Sequence, residues 1–93
     1  MSNYQPHPID TSHIDLGELK PLVEALSKNA HEIWARERMR EGWTFGPTRN
    51  DQRKEHPCLI SYEDLPESER VYDREMVKEV LKATIALGFQ ITR

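Results

Sequence analysis

His31 and Glu32 stand side by side in the chain, a pairing that zinc proteases complete with a second histidine one helical turn later. Position 35 is alanine, so that metal pair does not form. His31 keeps two readings: a ring that holds loop carbonyls, or a contact to a ligand. Cys58 follows His56 and Pro57, and a thiol beside an imidazole has the chemistry of a nucleophile and its base. Neighbours in sequence seldom point at one another, however, and a buried small hydrophobe is the simpler expectation. The carboxylates Glu63, Asp64, Glu67 and Glu69 suit the start of a helix better than acid–base work. Spacing assembles no nucleophile, base and orienting partner, so the chain is expected not to be an enzyme.

The remaining chemistry is that of binding. Trp34 falls on an apolar stripe and is expected first in the core, whereas Trp43 sits between Gly42 and Gly46-Pro47, where an indole is harder to bury. An exposed indole beside a cation is a platform for a flat ring. Arg36, Arg38 and Arg40 alternate with Glu37 and Glu41, and Arg49, Arg53 and Lys54 follow beyond the second tryptophan. Arginine forks match phosphate oxygens. The candidate ligand-binding set is therefore His31, Trp34, Arg38, Trp43, Arg49, Arg53 and Lys54, and its ligand would be a nucleotide-like anion. The chain has no glycine-rich phosphate loop, and no cofactor or metal is expected.

Two long amphipathic stretches must position these residues. Leu19, Leu22, Val23, Leu26, Ala30, Ile33 and Trp34 recur at steps of three and four, which predicts a helix with one apolar stripe. Asp15 and Glu18 resemble a capping box, Pro21 confines the start to the first turn, and Gly42 is a natural stop. Tyr72, Met76, Val77, Val80, Leu81, Thr84 and Ile85 repeat the pattern before Gly88. The carboxylate-rich stretch from Tyr62 to Arg70 predicts a short third helical segment. Residues 42–61 hold Gly46-Pro47, Asn50-Asp51 and His56-Pro57, the turn chemistry of a long ordered loop. Residues 1–13 read as an extended arm packed on that loop through Tyr4, Pro6, Pro8 and Ile9. The fold class is all-α.

With 93 residues the chain fits a single domain, 1–93, with a modest core. One cysteine supplies no disulfide and fits a reducing, cytoplasmic setting. Thirteen Lys and Arg stand against 16 Asp and Glu, a net charge of −3, which gives no general pull toward nucleic acid. No apolar run is long enough for membrane insertion, and the first residues lack the basic and apolar parts of a signal peptide.

The order of landmarks is specific as a set. It begins with Tyr4, Pro6 and Pro8-Ile9-Asp10-Thr11-Ser12, then Asn29-Ala30-His31-Glu32-Ile33-Trp34-Ala35. Gly42-Trp43, Gly46-Pro47, Arg49-Asn50-Asp51 and Lys54-Glu55-His56-Pro57-Cys58-Leu59 follow, with Tyr62, Leu65-Pro66, Tyr72-Asp73-Arg74 and Leu87-Gly88 after them. In this order and spacing the chain resembles the ryanodine-receptor repeat, or RyR domain, from about Tyr4 to Ile91. The resemblance implies a non-enzymatic interaction or regulatory module. Receptor repeats occur as tandem pairs in the cytosolic shell and hold adenine-nucleotide-like ligands on aromatic side chains, and stand-alone copies occur in bacteria and phages. A single copy fits the stand-alone form and lacks the phosphorylation loop between paired repeats. It also implies a protein partner, with self-association as the way one copy reproduces the paired arrangement.

Overall fold

The structure, a computed structural model, describes residues 3–93. Met1 and Ser2, the start of the predicted arm, lie outside the described residues. A 3-10 turn at Gly17–Leu19 leads into α1, Lys20–Arg40, and α2 spans Glu67–Ala86. Pro21 sits in the first turn of α1, where its missing N–H has no intrahelical partner to lose. Asp15 does not close a capping box with Glu18. Its Oδ1 accepts the Gly17 N–H at 2.8 Å, because the 3-10 turn puts the first free amide two residues on. Gly42, at φ +93°, ends α1. Its N–H donates to the Met39 carbonyl and that of Trp43 to the Arg38 carbonyl, each at 3.0 Å. This pair of bonds requires a left-handed residue, the conformation glycine adopts without penalty. Gly88 and Phe89 close α2 on Ile85 and Thr84 in the same way.

The domain is mostly helical but not strictly all-α. The loop contains two short strands, β1 at Thr44–Phe45 and β2 at Glu55–His56. They pair in parallel, Thr44 opposite Glu55 and Phe45 opposite His56, and Asn50 bridges Glu55 from the antiparallel side. A segment this rich in turns cannot satisfy its backbone by helix, so it bonds across itself instead. Gly46 permits the pairing, since a Cβ there would lie 2.6 Å from that of Glu55. The expected third helical segment shrinks to a 3-10 turn at Tyr62–Asp64. Leu65 and Pro66 are extended, and Arg70 already belongs to α2. The residue before a proline is driven out of the helical region.

The helices pack antiparallel. Leu16, Val23 and Leu81 form the centre of the core, with Leu19, Val77, Ile85 and Ile91 partly buried around them. Leu59, Tyr62 and Leu65 are buried where the loop returns to the helices. Ser27 is fully buried, and its hydroxyl donates to the Val23 carbonyl at 2.6 Å. The predicted stripe of α1 is only partly covered: Val23 is buried, Trp34 is half-buried, and Leu22, Leu26 and Ile33 are exposed. One neighbouring helix covers one side of a stripe. The arm also departs from expectation. It anchors on α2, through the Thr11 hydroxyl donating to Glu79 Oε2 at 2.7 Å, and residues 3–10 are exposed. Among the described residues, no helix is long and apolar enough to cross a membrane.

A Ser27→Leu substitution would force extra methylenes into a site with no free surface and should cost about 1–3 kcal/mol. Ser27→Ala removes only one helix-internal bond and should stay within about 1 kcal/mol of the parent. Urea melts of the three proteins measure the difference.

Candidate functional site

A cavity of about 310 Å³ opens where the C-terminal half of α1 faces the N-terminal half of α2. Ala30, His31 and Trp34 line it from α1, and Glu69, Tyr72 and Asp73 from α2. His56, Cys58 and Leu65 close it from the loop. Its wall is part of a row of rings. His31 stacks on Trp34 with centroids 5.6 Å apart, Trp34 meets the edge of His56 at 5.0 Å, and His56 meets Trp43 at 6.3 Å. Tyr62 flanks His31 at 6.2 Å.

Two histidine bonds hold the loop in place. His31 is buried, and its Nε2–H donates to the Ile60 carbonyl at 2.7 Å. This is the carbonyl-holding role that the sequence allowed. His56 Nδ1 accepts the Cys58 N–H at 3.0 Å, so the neutral ring carries its proton on Nε2. Burial, and then the Arg49 charge, hold His56 below its ordinary pKa against the opposing pull of Glu69 and Asp51. Cys58 is half-buried rather than fully buried. Burial and the Glu69 and Asp73 carboxylates push its thiol up, the opposite of what a nucleophile needs. The Asp73 carboxyl is raised by burial first and by Glu69 less, with His31 opposing.

Of the seven residues expected to bind a ligand, His31 and Trp34 line the cavity, and Trp43 adjoins it through His56. The four cations lie elsewhere with local partners. Arg38 pairs with Glu41 at 2.6 Å and Arg49 with Asp51 at 2.8 Å. Arg53 lies 4.0 Å from Glu55, and Lys54 Nζ donates to the Glu41 carbonyl at 2.7 Å. Sequence reasoning left out His56, Glu69, Tyr72 and Asp73 as site residues. Positions 69, 72 and 73 share a helix face at steps of three and four, and that spacing was the one signal available. Among the described residues, no group of three or more His, Cys, Asp or Glu is placed to hold a metal ion.

The hairpin has two unlike sides. On one lies an open groove lined by Lys20, Glu24, Arg74, Lys78 and Lys82. On the other lies the cavity, and from it run two apolar rows at steps of four: Ala30, Leu26 and Leu22 along α1, and Tyr72, Met76 and Val80 along α2. Tyr72, Met76 and Val80 are 65%, 52% and 63% exposed.

A two-helix hairpin clasping a cross-bonded loop, with aromatic rings at the junction, defines a small, mostly helical domain. A family model for the RyR domain matches residues 4–93. The chain belongs to the RyR domain family.

His31→Leu should strand the part-buried Ile60 carbonyl and cost about 1–3 kcal/mol, measurable by thermal or urea denaturation. For His56 the folded pKa is the lower one, so its contribution is complete above the ordinary histidine value of about 6.5 and is lost as pH falls through the folded value. The melting temperature should therefore drop on acidification below neutrality. His56→Asn, which keeps an acceptor for the Cys58 N–H, should flatten that part of the profile.

Proposed function

We propose that this chain is a non-enzymatic interaction module that works within an assembly, and that its partner is a second copy of itself. The observation that carries the reading is the uncovered apolar side of the hairpin. A compact monomer of this mass exposes about 5,600 Å², whereas this chain exposes 7416 Å². The excess of roughly 1,800 Å² lies in the range that each partner buries in an obligate homodimer. Its radius of gyration of 16.2 Å likewise exceeds the roughly 12 Å of a compact domain of this length. The extended arm contributes to both values, and the exposed helix rows contribute the apolar part.

A second copy is the occupant that the face itself favours. Rows of Leu22, Leu26 and Ala30 beside Tyr72, Met76 and Val80 present the same apolar strip in each protomer, which a two-fold axis can pair without adding any charge partner. The small core of Leu16, Val23 and Leu81 would also gain from the area such a dimer buries. The alternative, a sensor that holds a nucleotide-like anion through Trp and Arg, draws support from the row of rings. It loses support from the local pairing of Arg38, Arg49, Arg53 and Lys54 and from the two carboxylates at the cavity.

Sedimentation equilibrium over a wide concentration range tests the proposal. The parent should associate to a dimer with a concentration-dependent melting temperature. A Met76→Glu/Val80→Glu double variant would bury charge at the interface and should weaken the dimer by about a hundredfold or more. A parent that stays monomeric at high concentration overturns the self-association reading.

A further inference from the structure

We propose that the cavity between Trp34 and Tyr72 is a binding site for an organic cation, an alkylated ammonium or guanidinium head carried by a small molecule or a peptide side chain. Trp34 and Tyr72 line it with electron-rich rings, and His31, stacked on Trp34, extends the wall. Such faces attract a soft, weakly hydrated cation, most strongly where water is partly excluded. Glu69 and Asp73 supply the charge. Neither makes a hydrogen bond or ion pair among the described residues, in a protein whose other carboxylates, apart from Glu18 and Glu32, are all so engaged. Asp73 is also half-buried, so its negative charge lacks both full hydration and a partner. No lysine or arginine lines the cavity, and the ring of His56 uses Nδ1 as an acceptor. A volume of about 310 Å³ is at the small end of ligand pockets, enough for a compact head and part of its stem.

The sign of the ligand is what the geometry assigns here. An anion at this place would face two carboxylates with no lysine or arginine lining the cavity to answer them. An organic cation would supply the missing charge and cover the rings at once. The site borders the dimer face, since Ala30 and Tyr72 belong to both, whereas Met76 and Val80 do not line the cavity. The test is therefore run on both the parent and the Met76→Glu/Val80→Glu variant.

Amide and indole NMR shifts, with tryptophan fluorescence, are followed during titration with choline, arginine amide, and a short peptide carrying trimethyl-lysine. 3,3-Dimethylbutanol, a neutral copy of choline, and adenosine monophosphate serve as controls. Saturable shifts at Trp34, Tyr72 and Asp73 with any of the cations, and none with the neutral copy, support the site. Tighter binding of the peptide than of the free heads assigns it to a side chain, and the reverse assigns it to a small molecule. Asp73→Asn should weaken binding by about tenfold or more while leaving the melting temperature at neutral pH no lower, since burial already disfavours that charge. Tyr72→Ala, made in the Met76→Glu/Val80→Glu background where Tyr72 is exposed, should weaken it as well. Silence of all three cations to high millimolar concentration overturns the proposal. So does equal binding of the neutral copy, or a response to adenosine monophosphate alone.

Discussion

Two helices lying side by side can each bury only one stripe against the other. Here α1 spans Lys20–Arg40 and α2 Glu67–Ala86, each about 30 Å long. Val23, near the start of α1, and Leu81, near the end of α2, belong to one buried cluster. Everything else in the domain is arranged around what that contact leaves uncovered. The loop covers the far end of the hairpin through Leu59, Tyr62 and Leu65. The N-terminal segment covers the near end with Leu16, and Thr11 ties it to α2. Between these ends, one side is polar and laced with ion pairs such as Arg74 with Glu24 and Glu67. The other side is apolar and open.

The loop is held by a few hydrogen bonds as well as by the buried Leu59, Tyr62 and Leu65. Thr44 reaches the Lys54 carbonyl, Asn50 and Glu55 exchange both bonds of a bridge, and His31 secures Ile60. Exposed ion pairs such as Arg49 with Asp51 add little to this. His31 therefore acts in two places. Its Nε2 fixes the loop, and its ring, packed on Trp34, forms a wall of the cavity. Loop docking and cavity wall thus share one side chain.

Much of this arrangement was legible in the residues. The spacing of Leu19 to Trp34 and of Tyr72 to Ile85 marked both helices, and Gly42 and Gly88 marked their ends, because helical period and left-handed stops are local properties. The turn-rich middle was recognisable as an ordered loop. Its parallel strand pair was not, since two-residue strands carry no period and the bonds depend on Gly46 meeting Glu55. The capping role of Asp15 was misplaced for a related reason: a 3-10 entry shifts the free amide by one position. The exposure of Leu22, Leu26 and Ile33 was invisible too, because a stripe reports which face is apolar and not how much partner there is to cover it.

The sequence by itself determined the helices, their stops, the family, and the presence of Trp34 and His31 on one helix face. These follow from residue types within a few positions of one another. Only the tertiary structure decided what surrounds Trp34. The nearby cations Arg38, Arg49 and Arg53 turn to partners within their own segments, and Lys54 reaches back to the Glu41 carbonyl at the end of α1. Glu69 and Asp73 arrive from a helix far along the chain. Antiparallel packing sets which end of α2 meets which end of α1, and that is a long-range choice made by Val23, Leu81 and the loop, with no trace in the local spacing around the tryptophan.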